Sequence, residues 1–304
     1  MGPETMRALA LFAVVALQCT PTLTAAHPGL DQQIKHLSRA LRKDPTNLEL
    51  LLKRADHRRR ARHFRSAHAD LRRAQKISPT DTRIQLIWAQ SHFARGKWAK
   101  ALHALKRYFR AGGKRVPAFG LRARLRLRKG NWRGAVDDYG RMLQLRPDPQ
   151  VFLDRGRLLR SKSRLDEAAA GYRQGVAITG AVVLRLALLE VEKERQNHVG
   201  ALALVDEAAK TAKIKVDWRI RRAGILHDMG RLREAKVEGR LALIEAEQLL
   251  KVRASALNRL RRAKAYLVVG DRPAARADLR LILGRYPNLV AAKELLGRLR
   301  QSSP

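Results

Sequence analysis

The sequence predicts an all-α protein: a solenoid of about seven antiparallel helix hairpins, closed at each end by a single helix. Three observations predict it. Leu, Ala and Arg are abundant and aromatics are only 5%, which favours helices, while 45% hydrophobic residues suffice for a core. An alanine recurs at Ala67, Ala101, Ala135, Ala168, Ala201, Ala235 and Ala275, at spacings of 34, 34, 33, 33, 34 and 40 residues. A period of that size marks stacked units, each of which buries its apolar face on the next. Glycine and proline punctuate the same period. Gly96, Gly130, Gly230 and Gly270 fall where the chain reverses; Pro79, Pro147 and Pro287 fall where a helix stops.

The elements follow in chain order. Residues 1–26 have the layout of a secretory signal. Arg7 supplies the positive start, and Ala8–Leu17 is an apolar run too short for a membrane span. Thr24 and Ala26 fit a small-x-small cleavage site, so cleavage is expected before His27. The other reading is a buried apolar N-terminal helix. Gln18, beside Cys19, stands where a lipoprotein signal carries a small residue, which argues against a lipid anchor. Cleavage would remove the only cysteine, leaving no disulfide, thiol nucleophile or cysteine-based zinc site. The mature chain is then expected in the periplasm or secreted, with no transmembrane segment. Export also removes most of the case for nucleic acid as a partner.

Residues 27–47 form an N-terminal capping helix. Ile34, Leu37 and Leu41 share one face of it, and Pro45 ends it. Residues 48–287 divide into seven hairpins: 48–81, 82–115, 116–148, 149–181, 182–215, 216–255 and 256–287. Twelve residues before each periodic alanine stands Ala55, Ala89, Ala123, Gly156, Leu189, Ala223 or Ala263, all small except Leu189. Two helices that cross closely leave no room beyond a methyl group, so both contacting positions must be small. Three residues before each alanine stands Phe64, Trp98, Trp132, Leu165, Val199, Leu232 or Arg272, mostly large side chains that fill the space beside the turn. The sixth unit is six residues too long. Its stretch "LALIEAEQLLKVRASALNRL" holds no Gly or Pro, which predicts a lengthened second helix. Residues 288–304 form a C-terminal capping helix and a polar tail. Solenoids need such end helices to cover their exposed apolar faces.

This pattern resembles the tetratricopeptide repeat (TPR) family over Leu48–Pro287. The third unit, "VPAFGLRARLRLRKGNWRGAVDDYGRMLQLRPD", matches it at Phe119, Ala123, Gly130, Trp132, Ala135, Tyr139 and Pro147. The first fits at Ala55, Phe64, Ala67, Leu71, Ala74 and Pro79; the fifth fits least, with Leu189 at a small position and no turn glycine. The resemblance implies a right-handed superhelical solenoid whose concave groove is lined by the first helix of each hairpin. It also implies a non-catalytic protein–protein scaffold, here an exported bacterial one.

In the family pattern the groove-facing positions fall on Arg59 and Arg60, on Arg124 and Arg128, and on Arg157 and Arg160, whereas the fifth unit places Glu190 and Glu194 there. The groove is thus expected to be basic in its N-terminal half, with these six arginines gripping an acidic peptide or protein. The other reading is that these positions end a helix, where cations suit the dipole and are simply solvated. At family level the partner is expected in envelope or secretion-machinery assembly. A different class stays open: a polyanion-binding module for acidic glycan, lipopolysaccharide or anionic lipid, whose affinity should fall more steeply with salt.

The formal charge of +37 and a pI near 11.6 attract anionic partners and say nothing about fold. Arginines number 46 against 18 lysines and run the length of the chain, which fits a compositional habit as well as bidentate anion recognition. The densest cluster, "RADHRRRARHFRSAH" from Arg54 to His68, becomes in this frame a turn between two helices. His63 and His68, five apart on one helix, point about 140° from each other, so they do not make a metal pair. No H-E-x-x-H or G-x-S-x-G motif is present, "AGGKR" lacks phosphate-loop spacing, and the adjacent Asp137 and Asp138 diverge on a helix. No cofactor or catalytic residue is expected.

Overall fold

A computed structural model describes residues 28–301 of the chain. The signal segment expected at residues 1–26 and the final residues 302–304 lie outside the described residues. Those described form 16 α-helices and no strand.

The chain divides into two compact units, one ending at Leu121 and one starting at Arg122. The first unit holds α1 (Pro28–Lys43), α2 (Leu48–Arg60), α3 (Phe64–Ile77), α4 (Thr82–Ala94), α5 (Trp98–Arg110) and the start of α6 (Val116–Arg128). The second holds the rest of α6 with α7 (Trp132–Leu145), α8 (Pro149–Arg160), α9 (Leu165–Thr179), α10 (Val182–Glu194) and α11 (His198–Thr211). It continues with α12 (Val216–Asp228), α13 (Leu232–Val252), α14 (Ala256–Val269), α15 (Arg272–Arg285) and α16 (Val290–Gln301). Within each unit neighbours in sequence are neighbours in space. The first helix of a hairpin also touches the first helix of the next, α2 on α4 in the first unit, α8 on α10 and α12 on α14 in the second. Those contacts are what stack hairpins into an array. The six extra residues of the sixth hairpin lie in α13, which runs 21 residues where the other helices run 12 to 16.

Each of the periodic alanines, from Ala67 to Ala275, is buried, and so is the small residue facing it across the hairpin. Gly156 shows why size matters there. The Tyr172 ring lies over it so closely that a Cβ would stand 2.3 Å from the ring carbons. In the fifth hairpin Leu189 is also buried, in one cluster with Ala201, Val205 and Ile225.

All seven hairpin turns have one form. A residue one to three past the first helix has positive φ, and the next backbone N–H donates five residues back to the helix. The bonds run from His63 to Arg58, Lys97 to His92, Asn131 to Arg126, Arg164 to Leu159, Asn197 to Glu192, Arg231 to Leu226 and Asp271 to Tyr266, at 2.7–3.0 Å. This pairing satisfies helix-end carbonyls and requires the left-handed conformation. Glycine takes that conformation in four turns; Arg62 (φ 63), Ser163 (φ 56) and Gln196 (φ 57) take it in the others. The residue past the turn starts the second helix, and Asn131, Asn197 and Asp271 cap that start with a side-chain oxygen.

A second recurring device lies deeper. In four hairpins an arginine on the first helix reaches an acid sixteen residues on, on the second. Arg54 holds Asp70 through two bonds of 2.7 and 3.0 Å, and Arg262 holds Asp278 through bonds of 2.7 and 2.8 Å. Arg122 holds Asp138 at 2.5 and 2.9 Å, and Arg222 holds Glu238 at 3.0 Å. Arg58 and Arg126 add a second guanidinium to Asp70 and Asp138, at 2.7 and 2.9 Å. Asp70, Asp138 and Asp278 are all buried. Such a carboxylate is tolerable inside a hairpin only because it is fully hydrogen-bonded by cations.

Candidate functional site

The C-terminal end of α2, the start of α1 and the first hairpin turn enclose an open cavity of about 840 Å³. Its wall includes Leu30, Gln33, Arg59, Arg60, Arg62 and Phe64, and among the described residues no carboxylate lines it. The Schellman-type turn is what brings Arg62 back beside Arg59 and Arg60. Arg59 is held to Asp56 by bonds of 2.7 and 2.9 Å to one oxygen, so it is half neutralised and fixed in place. Arg60 and Arg62 are exposed and have no acidic partner among the described residues. Phe64 is partly buried, and the Arg95 guanidinium lies 5.8 Å from its ring centroid. The cavity therefore offers three arginines beside an aromatic ring.

In the second unit, Arg124 and Arg128 are exposed and four apart, so they share one face of α6. Arg124 sits beside Tyr139, whose hydroxyl is raised by burial, with Asp154 adding and Arg124 opposing. Arg157 and Arg160 sit beside Tyr172, which burial raises in the same way and both arginines oppose. Arg157 is exposed and has no acidic partner among the described residues. Arg160 is committed: its Nε donates to both oxygens of Glu194 on α10, at 2.8 and 3.0 Å. That hydrogen-bonded carboxylate keeps the Arg160 guanidinium charged beyond its ordinary range. The structure thus brings Arg59 and Arg60 into one cavity and turns Arg160 to an internal bond.

Among the described residues no group of three or more metal-ligating side chains, those of the first hairpin's histidines included, is placed to hold a metal ion. His68 is half-buried rather than superficial. Its Nε2 lies 2.7 Å from Ser91 Oγ, and its ring packs on Trp88 and His92, with centroids 4.4 and 5.5 Å away. Asp138 is buried while Asp137 is exposed, so the two face different surroundings. Sequence reasoning missed the arginine–acid pairs. Their signal is the constant separation of sixteen, hidden by the abundance of arginine.

No family model matches the chain, and no curated protein matches it in sequence. Solved structures do match. The C-terminal part of a TPR repeat-containing protein from Cytophaga hutchinsonii is 14% identical, with a TM-score of 0.53, over 80% of this chain and 98% of that one. A tetratricopeptide repeat protein from Parabacteroides merdae is 18% identical, with a TM-score of 0.43, over 83% of this chain and 98% of that one. A thermophilic TPR protein from Thermus thermophilus is 16% identical, with a TM-score of 0.40, over 62% of this chain and all of that one.

Proposed function

We propose that this chain, an all-α array with the tetratricopeptide-repeat fold, is a non-catalytic scaffold whose first unit binds an acidic peptide segment of a protein partner. The observation that carries the reading is the cavity at the first hairpin turn. Arg60 and Arg62 are exposed there with no acidic partner among the described residues, Arg59 is fixed beside them, and Phe64 provides an apolar floor. Arginine forks match carboxylates two bonds at a time, which gives orientation as well as attraction. A partly buried ring gives an apolar side chain of the peptide a place to dock, so affinity need not rest on charge alone. In the second unit, the exposed Arg124, Arg128 and Arg157 are candidates for a further acidic stretch.

We also propose that the protein acts outside the cytoplasm after loss of residues 1–26, in assembly of envelope or secretion machinery. Among the described residues no helix is long and apolar enough to cross a membrane.

The test is a titration of a labelled Asp/Glu-rich peptide carrying one aromatic residue. The double variant Arg60→Glu, Arg62→Glu should weaken binding about a hundredfold, since two charge-assisted bonds are lost. The triple variant Arg124→Glu, Arg128→Glu, Arg157→Glu tests the second unit separately. Unchanged affinity in the first variant removes the cavity as the site. N-terminal sequencing of the exported protein should begin at His27; retention of residues 1–26, or recovery with the cytoplasm, defeats the export reading.

A further inference from the structure

The arginine–acid pair that spans four hairpins is missing from the second, where its place is opened into a pocket. The positions that carry Arg54 and Asp70 in the first hairpin carry Trp88 and Ala104 in the second. In the fourth, the Arg155 guanidinium takes up the space over Gly171, and in the fifth Leu188 and Leu204 fill it with apolar side chains. In the second it becomes a cavity of about 430 Å³ between α3, α4 and α5. Trp88 and Ala104 form its apolar floor, and Arg72, Lys100 and Arg107 stand at its wall. These three cations are exposed and have no acidic partner among the described residues, and no carboxylate lines the cavity. Where the neighbouring hairpin places a buried acid between arginines, this one has the cations and lacks the anion.

Two further observations point the same way. His92, which also lines the cavity, has a buried Nδ1 without a hydrogen-bond partner among the described residues. The local field is strongly positive: after burial, the charges that hold His92 and His68 neutral are those of Arg72, Arg95, Lys97, Lys100 and, for His68, His92 itself. A site of several hundred Å³ with an apolar floor and a few convergent charges is the ordinary form of a small-molecule pocket.

We propose that this pocket binds a small amphiphilic anion, with a phosphate, sulfate or carboxylate head held by Arg72, Lys100 and Arg107 and a flat apolar body against Trp88 and Ala104. Both parts are needed. The head supplies the carboxylate's role from the other hairpins, and the body covers the apolar floor that Trp88 and Ala104 leave open. The site is separate from the peptide-binding cavity at the first turn and does not depend on it.

The experiment titrates the full chain with 1-naphthyl phosphate by calorimetry, beside inorganic phosphate and 1-naphthol. Naphthyl phosphate should bind about tenfold or more tightly than either fragment, because head and body each contribute. Arg107→Glu, at an exposed position, and Ala104→Asp, which restores the acid of the other hairpins, should each weaken it about tenfold or more. The Arg60→Glu, Arg62→Glu variant should bind it as the native chain does. If Ala104→Asp loses helical circular dichroism, Arg107→Glu alone decides. The proposal is overturned if Arg107→Glu binds as tightly as the native chain, if inorganic phosphate matches the conjugate, or if reversal at Arg60 and Arg62 costs as much as reversal at Arg107.

Discussion

Asp138 has no exposed side-chain surface, while its two arginines, Arg122 and Arg126, keep 23% and 29% of theirs. Cutting the cluster from either end should therefore cost different amounts. Asp138→Ala frees two guanidinium groups that can turn to water, a loss of about 1–3 kcal/mol. Arg122→Ala with Arg126→Ala strands a carboxylate in the interior, a loss of about 3–5 kcal/mol. Chemical denaturation of both variants gives the order; equal losses would mean that the carboxylate does not need its cations. His68 sets a second expectation. Burial, aided by the charges of His92, Arg95, Arg72 and Lys97, pulls its pKa down to about 4. In the unfolded chain it titrates near its ordinary value of about 6.5. Its contribution to stability is whole above pH 6.5 and is lost as pH falls toward 4, because only the unfolded state takes up the proton. His92 is shifted in the same direction, also chiefly by burial. His68→Gln should flatten the fall in denaturation midpoint between pH 6.5 and 4, and the His68 ring proton should titrate near pH 4 by NMR.

The turn is the element that repeats most faithfully, and it is only partly written in residue type. Glycine marks four of the seven turns, where positive φ carries no steric cost, but Arg62, Ser163 and Gln196 adopt the same conformation. In those three the surrounding hydrogen bonds impose what the side chain resists. Arg62→Gly should raise stability by about 1 kcal/mol, relief of left-handed strain less the added freedom of the unfolded chain. Thermal unfolding measures it, and a lower midpoint would show that the Arg62 side chain contributes more than its backbone costs. The helix crossings were more legible than the turns. A close approach admits only small side chains, so Ala55 opposite Ala67 and Ala123 opposite Ala135 leave a period in the sequence. Leu189 broke that rule, and nothing in its residue type announced the apolar cluster that accommodates it. The arginine–acid pairs were illegible for a different reason. In a chain with 46 arginines, an arginine sixteen residues from a given acid carries little information.

For the molecule as a whole, the same abundance blurs the site. Arg59 and Arg60 can be named from their place in the repeat, and the structure puts both on one cavity wall. The commitment of Arg160 to Glu194, 34 residues away, cannot be read from a helix face, because it depends on how one hairpin stacks on the next. Arg83 reaches Glu49 across the same separation, at 2.5 Å. The pocket over Trp88 is legible only by comparison, as a place where a device used elsewhere is left out.

The inward placement of carboxylates has a colloidal consequence. Of the chain's 27 acidic residues, Asp70, Asp138, Asp278 and Glu192 are buried, so the negative charge that would temper the surface is partly withdrawn from it. Each is paired there with arginine, so two copies approaching in solution still meet the chain's net excess of cation. They repel at low ionic strength and lose that protection as the Debye length shrinks to about 8 Å at physiological salt.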